Sequence, residues 1–99
     1  MFKHIVMWKL KDGDDVSKED NAKKMKEMIE DLKGKIDEIK HIEIGFDVSC
    51  TDSSYDVVLY SEFDSKSDCT DYIKHPEHQK VVSFVGSVVS ERKVVDYEY

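Results

Sequence analysis

Residues 2–10 of the chain read FKHIVMWKL, and this stretch decides the fold. Successive side chains of a β-strand point to opposite faces, so Ile5 and Met7 lie on one face and the even-numbered positions lie on the other. Apolar residues on both faces predict a strand in the interior of a sheet. The even-numbered positions are Phe2, His4, Val6, Trp8 and Leu10.

A helix is predicted to follow the turn KDGDD, in which Gly13 is the turn residue. Ser17 has the side chain of an N-cap, and Asp20 three positions later forms a capping box with Asp in place of the usual Glu. Gly34 is the predicted residue just beyond the helix end. Apolar residues recur at helical spacing between these points: Ala22, Met25, Met28, Ile29 and Leu32.

Two further strands are predicted in the middle of the chain. Residues 41–48, HIEIGFDV, alternate cleanly between apolar and polar side chains, which is typical of a half-buried strand at a sheet edge. Residues 55–63, YDVVLYSEF, carry apolar groups on both faces and form a third strand. The polar loop 49–54 connects the two strands.

A second helical region starts at Ser65 and stops before Pro76, because the residue that precedes a proline disfavours the helical conformation. Pro76 suits the first position of a fresh helix, which is expected to end at Ser90 and Glu91. Residues 92–98, RKVVDYE, form a short final strand. The apolar stripe of the fresh helix contains Val81, Val82, Val85 and Val88 or Val89.

The predicted order β-α-β-β-α-β is the signature of a ferredoxin-like α+β protomer with an antiparallel four-stranded sheet, formed as a single domain by residues 1–99. Right-handed crossovers place both helices on the same face of this sheet. The other face then has no cover from the helices, although the first and third strands carry apolar side chains on both faces. Candidates for the uncovered patch are Phe2, Ile5, Met7, Trp8, Tyr60 and Phe63.

A large exposed apolar patch is rare on a monomer, so a second copy packed sheet to sheet or closed into a shared barrel is expected. Covering several hundred Å² on each protomer stabilises a dimer by about 10 kcal/mol before the costs of association. Partial cover by the C-terminal tail is the competing explanation. The sequence therefore predicts a homodimer.

Composition narrows the class of protein. Fifteen basic and 22 acidic residues among 99 give a net charge of −7, which disfavours nucleic acid and anionic membranes as partners. The sequence has no signal-peptide pattern and no apolar run of the length of a membrane span, so a cytoplasmic location is expected. Cys50 and Cys69 are then two reduced thiols, since their spacing is not that of a metal site.

His78 is the strongest candidate for a reacting group. If Pro76 is the first helical residue, the imidazole of His78 lies near the free amides and the positive end of the helix dipole. Both effects disfavour the imidazolium, so His78 is expected to be neutral at pH 7 and able to accept a proton. The alternative is a structural histidine at the edge of the core, hydrogen-bonded to backbone.

Other candidates share a predicted cavity with His78. His4 is a polar residue in an apolar alternation with Val6 and Trp8, so its imidazole must find a partner or line a cavity between the sheet and the helices. Tyr72 immediately precedes the proline break and offers a phenol to the same cavity. The alternative roles are a satisfied core histidine and a packing aromatic.

His75 and His78 also suggest a metal pair, but Pro76 takes His75 out of helical geometry and no third ligand stands nearby in the sequence. His41 faces the polar side of an edge strand and is interpreted as a surface residue. No phosphate-binding or dinucleotide-binding motif is present. The sequence therefore predicts neither a metal site nor a cofactor.

The segments FKHIVMWKLKD, HIEIGFDV, YDVVLYSEFDS, DYIKHPEHQKVV and RKVVDYE together resemble the stress-responsive dimeric α/β-barrel (Dabb) family over nearly the whole chain. The resemblance implies a ferredoxin-like protomer whose sheet pairs with a second copy to form an α+β barrel. It also implies little about activity, because many members of this family are stress-associated homo-oligomers without an assigned reaction.

More distantly, the chain is similar to plant polyketide cyclases of the olivetolic acid type. That likeness implies a catalytic pair at His78 and Tyr72 and a cavity-lining histidine at His4. A further cavity histidine of those cyclases has no counterpart, since Val57 occupies the matching position. The absence of this histidine argues against the same ring closure here.

The leading hypothesis is a homodimeric barrel protein that binds a small hydrophobic or carbonyl-containing molecule. His78 and Tyr72 would then be catalytic, in proton transfer beside a carbonyl, and the ligand would contact His4, Val6, Trp8 and His75. An enzyme of this kind would be a cofactor-independent cyclase, lyase or isomerase. The alternatives are a non-catalytic, stress-associated structural homo-oligomer and a polyketide-cyclase-like enzyme.

Overall fold

The computed structural model describes residues 1–12 and 17–99, so the predicted turn at Gly13 lies outside the described residues. The sheet is antiparallel with the strand order β2-β3-β1-β4. Three helices cover one of its faces. The elements in chain order are β1 (Phe2–Leu10), α1 (Lys18–Glu30), β2 (His41–Phe46), β3 (Val57–Phe63), α2 (Lys66–Lys74), α3 (Pro76–Val88) and β4 (Val89–Glu98).

This arrangement confirms the predicted ferredoxin-like α+β fold, with the second crossover divided into two helices. The division falls at His75, whose extended backbone separates α2 from α3, and Pro76 is the first residue of α3 as predicted. Ser65 caps α2 by accepting a hydrogen bond from the Asp68 amide at 3.1 Å. The predicted positions of both helix starts are therefore confirmed.

Helix α1 begins as predicted but ends earlier. The Ser17 hydroxyl accepts a hydrogen bond from the Asp20 amide at 3.2 Å, which confirms the N-cap. After Glu30 the chain tightens into a 3-10 turn over Asp31–Gly34, which carries Leu32 into the core. The predicted place of Gly34 just beyond the helix end is wrong, because the α-helix ends at Glu30 and Gly34 is the last residue of the 3-10 turn.

Strand β2 lies at the sheet edge, as predicted, but stops at Phe46. Val48 is 91% exposed, so its predicted place on the buried side of this strand is wrong. The chain turns there because the Asp47 carboxylate accepts a hydrogen bond from the Cys50 amide at 2.8 Å. Strand β3 accordingly begins at Val57, two residues later than predicted.

The last strand is longer than predicted, and α3 is shorter. Strand β4 pairs with β1 from the Leu10–Val89 partners to the Phe2–Glu98 partners, so sheet hydrogen bonds take up residues 89–91. The prediction that α3 ends at Ser90 and Glu91 is therefore wrong. Val82 is 45% exposed, because Val81 and Val85 form the buried side of α3.

The core lies between the helices and the even-numbered side of β1. Phe2, Trp8 and Phe63 point to this side and are almost fully buried, so they do not belong to the uncovered patch. Met25 and Ile29 of α1 pack against the same layer, followed by the 3-10 turn. The other buried apolar residues include Val6, Leu10, Ile36, Ile39, Ile44, Leu59, Tyr72 and Val85.

The opposite side of the sheet, which we call the open face, has no cover from the helices. Ile5 lies at its centre, because its partners across the sheet are Tyr60 on β3 and Val95 on β4. Met7 and Val58 form the next cross-strand pair along the same face. Charged residues surround this apolar centre on the same face: Lys3, Lys9, Glu43, Glu62 and Lys93.

The C-terminal residues extend the sheet instead of folding over the open face. The Tyr99 amide donates a hydrogen bond to the Met1 carbonyl at 2.9 Å, and the Met1 amino group donates to the Tyr99 carbonyl at 3.0 Å. The end of the chain therefore continues the β1–β4 ladder. Within residues 1–12 and 17–99, the tail does not provide the cover that competed with a dimer.

Side chains of α1 hold the outer edge of β2, a feature we call the β2 edge clamp. The Glu30 carboxylate accepts hydrogen bonds from the Ile44 amide at 3.0 Å and from the Lys26 ammonium at 2.7 Å. Lys26 also donates to the Ile44 carbonyl at 3.1 Å. Partial burial acts to raise the pKa of Glu30, but these two donors outweigh it and hold that pKa below its ordinary value.

Candidate functional site

A cavity of about 150 Å³ lies between the sheet and the helical layer, with walls from β1, β3, β4 and all three helices. Its walls are mostly aliphatic, and valine is the commonest residue in them. Strand β1 contributes alternate positions, which explains why His4, Val6 and Trp8 meet there. The polar residues that line the cavity are His4, Trp8, Tyr72, His78 and Arg92.

His78 is the third residue of α3 and lies half-buried at the cavity wall. Its Nδ1 lies 3.0 Å from the Ile73 carbonyl oxygen at the end of α2. A carbonyl oxygen only accepts hydrogen bonds, so Nδ1 must be the donor. This contact fixes the tautomer of the neutral ring and leaves Nε2 with a lone pair that can accept a proton.

Burial lowers the pKa of His78 below its ordinary value. The Ile73 carbonyl opposes this shift, whereas the neighbouring His4, Arg92 and His75 add to it. The direction is the one that the sequence predicts, but desolvation of the ring is the main cause, ahead of any effect of the helix terminus. A half-buried, neutral imidazole beside an apolar cavity is suited to accept a proton at pH 7.

Tyr72 projects from the last part of α2 against the ring of His78, with 4.5 Å between the ring centroids. Phe63 supports it from the sheet at 5.1 Å between centroids. Burial is the main influence on the phenol and raises the pKa of Tyr72. The hydroxyl therefore stays protonated at neutral pH and can donate a hydrogen bond to a ligand oxygen.

His4 is buried, and its imidazole has the hydrogen-bond partner that a buried polar group needs. Its Nδ1 lies 2.6 Å from a carboxylate oxygen of Asp96, its cross-strand partner on β4. The Nδ1–H donates to this oxygen, which leaves Nε2 as the free nitrogen of the ring. The His4 ring lies 6.3 Å from the Tyr72 ring, so the predicted trio of His4, Tyr72 and His78 surrounds one cavity.

Asp96 and Arg92 were not singled out by the sequence, although both lie on the helix side of β4 at even-numbered positions. Asp96 is the partner of His4 and Arg92 is the partner of Trp8 in the β1–β4 register. The segment RKVVDYE has no local pattern that marks either residue, so their places beside the cavity follow only once the register between the first and last strands is known.

His75 does not line the cavity. Its Nδ1 instead accepts a hydrogen bond from the Glu77 amide at 3.1 Å, so the side chain caps the start of α3. The structure thus separates His75 from His4, Tyr72 and His78. In the part of the chain that the structure describes, no three His, Cys, Asp or Glu side chains group as metal ligands.

Cys69 lies near the site but is not suited to nucleophilic chemistry. Burial, followed by the nearby Asp96, raises the pKa of its thiol to about 12. The thiolate is the reactive form, so Cys69 is inert at neutral pH. Both cysteines are free thiols, as the sequence predicts, and the structure shows Cys50 exposed and Cys69 buried.

The burial of His78 predicts a specific dependence of stability on pH. The folded pKa lies below the unfolded value of 6.5, so the unfolded chain binds more protons in this window and the free energy of unfolding decreases as pH falls through it. In urea titrations at pH 7.5, 6.5 and 5.5, His78→Gln should lose less stability than the unmodified protein. A difference between the two proteins that stays constant across these pH values would contradict the prediction.

The fold and the cavity together define a class of protein. It is a ferredoxin-like α+β domain with one sheet face uncovered by helices and an imidazole-lined cavity between the sheet and the helices. Sequence comparison gives the family: the model of the stress responsive A/B barrel domain, Dabb, matches residues 2–99. The chain belongs to this family, as its sequence motifs predict.

Individual relatives agree with this assignment. A stress-response A/B barrel domain-containing protein, DABB1, from Arabidopsis thaliana is 32% identical over 97 residues, which cover 95% of this chain and 45% of that relative. The chain therefore spans less than half the length of this curated relative. A Bacteroides fragilis protein, described as dimeric with a ferredoxin-like fold and of unknown function, is 38% identical. Its structure has a TM-score of 0.85, with 99% of this chain and 95% of that chain covered.

The hydroxynitrile lyase of Passiflora edulis has the same fold, with a TM-score of 0.82 over 97% of this chain and 90% of the lyase. The two sequences are 17% identical, so this likeness concerns the fold alone. A separate observation concerns membranes: no helix in the described residues has the length and apolar character needed to cross one.

Proposed function

We propose that the protein is a homodimer that binds a small, mostly apolar carbonyl compound in the cavity beside His78 and moves a proton on it. The observation that carries the proposal is the Nδ1–Ile73 contact, because it orients a neutral imidazole with Nε2 free beside an apolar cavity. The dimer is supported by the uncovered open face and by the dimeric relative from Bacteroides fragilis.

The proposed chemistry follows from the groups on the cavity wall. His78 Nε2 accepts a proton from the carbon next to the carbonyl, and the electron pair of the broken C–H bond forms an enolate. The protonated Tyr72 hydroxyl donates to the enolate oxygen. The imidazolium then returns the proton to the bound ligand, either to the same carbon or to another atom of the enolate. His4, held by Asp96, orients the ligand.

A thermal shift assay with acetophenone, a single-ring ketone, tests binding in this cavity. At ten times its dissociation constant, a ligand stabilises the folded state by about 1.4 kcal/mol. For a chain of this length, that free energy raises the melting temperature by roughly 6 °C. We expect His78→Gln to remove most of this shift and to remain a folded dimer.

The matched control is Lys80→Gln, since Lys80 is an exposed residue of the same helix and does not line the cavity. This variant should retain the full shift. Loss of folding or of the dimer in His78→Gln would instead favour the structural role of this imidazole. An unchanged shift in His78→Gln would place the ligand outside the proposed cavity.

A further inference from the structure

Two hydrogen-bond donors lie side by side on the cavity wall: the buried indole of Trp8 and the exposed guanidinium of Arg92, neither with an acceptor among the described residues. Trp8 and Arg92 are cross-strand partners on β1 and β4, and both line the cavity. Trp8 is 5% exposed, and its indole Nε1 has no hydrogen-bond partner among the described residues. A buried hydrogen-bond donor without a partner is rare, so we expect a bound ligand to supply an acceptor at this part of the cavity.

The charge of the cavity lining is unusual for this chain. The protein has 22 acidic residues and a net charge of −7, yet no Asp or Glu among residues 1–12 and 17–99 lines the cavity. Arg92 is the only arginine in the sequence. The ion pairs among the described residues all use Lys or His as the cation, so Arg92 is not engaged in one.

We propose that Arg92 and Trp8 form the carboxylate-binding end of this cavity and that the ligand is a small apolar acid. The guanidinium binds a carboxylate through a planar pair of donors, and the indole NH adds a third donor to the same group. This inference rests on the proposed function and names the class of ligand for the same site. The apolar part of the acid lies against the valine side chains of α3.

The size of the cavity restricts this acid. A cavity of about 150 Å³ with apolar walls holds one benzene molecule, as engineered cavities of that volume show. The ligand is therefore an acid with one ring or an equivalent short chain. Its polar end points to Arg92 and its reacting carbon points to His78 and Tyr72, which line the same cavity.

Benzoate and benzamide test the inference directly, because they have nearly the same shape and differ in charge. In calorimetric titrations of the full chain at pH 8, the protein should bind benzoate about tenfold more tightly than benzamide. Arg92→Gln should weaken the binding of benzoate about tenfold and leave the affinity for benzamide within roughly twofold of the unmodified protein. Arg92→Lys should retain part of the preference for benzoate over benzamide. Trp8→Phe should weaken the binding of benzoate about threefold.

Benzamide binding also reports that each variant is folded, and Lys80→Gln serves as the charge control. Lys80 is an exposed cation of α3 that does not line the cavity, so its removal should not change the preference. Equal affinity for the two probes, or an unchanged preference in Arg92→Gln, would overturn the carboxylate site but not the proposed function. If neither probe nor acetophenone bound, the cavity itself would fail as a ligand site.

Discussion

Replacing Ile5 with glutamate is expected to separate the proposed dimer into monomers at micromolar concentration. Ile5 lies at the centre of the open face, between Tyr60 and Val95. A carboxylate at this point would lose its water at the apolar centre of the proposed interface, where its direct cross-strand neighbours are Tyr60 and Val95 and not cations. Such a charge costs several kcal/mol, which raises the dissociation constant more than about 100-fold.

Sedimentation equilibrium of the Ile5→Glu variant measures this effect, and circular dichroism checks that the protomer stays folded. Ile73→Glu is the matched control, because Ile73 is exposed on α2, on the helix side of the sheet. It introduces the same charge away from the open face and should leave the dimer intact. A dimer of normal affinity in Ile5→Glu would show that the sheets do not pack through this face.

Phe63→Ala is expected to produce the largest loss of protomer stability. Phe63 is completely buried at the end of β3, opposite Phe2 and against the ring of Tyr72. Truncation of a buried phenylalanine lowers the free energy of unfolding by about 3–5 kcal/mol. This is a large share of the roughly 5–15 kcal/mol that stabilises a typical domain.

Urea unfolding at pH 7.5 measures the loss. Phe46→Ala is the control, since Phe46 is 42% exposed at the end of β2 and should lose less than about 1 kcal/mol. Phe63 also holds Tyr72 in place, so the milder Phe63→Leu variant should weaken acetophenone binding while it remains folded. Equal losses in the two alanine variants would contradict the assignment of Phe63 to the centre of the core.

The fold could be predicted from the sequence because its strongest signals are local. The alternation of residues 2–10, the Ser17 cap, the helix start at Ser65 and the break at Pro76 all act within a few residues, and the structure confirms each of them. Where the local sequence pattern and the pairing of strands favoured different structures, the pairing of strands determined the structure. Residues 89–91 continue a helical pattern, yet they pair with β1.

The site was only partly predictable, because part of it depends on strand register. His4, Tyr72 and His78 carry recognisable side chains at unusual positions, and the cavity brings them together. Arg92 and Asp96 gain their roles only from their cross-strand partners, which are more than 80 residues away along the chain. The final strand looks polar and exposed in isolation, so its sequence gives no local reason to select either residue.

The β2 edge clamp has a consequence for the behaviour of the protein at high concentration. An open strand edge is a template on which further chains add to build cross-β fibrils. Glu30 and Lys26 occupy the amide and the carbonyl of Ile44, so an incoming chain cannot bond there without displacing them. The clamp thus opposes the addition of a further strand at the centre of this edge.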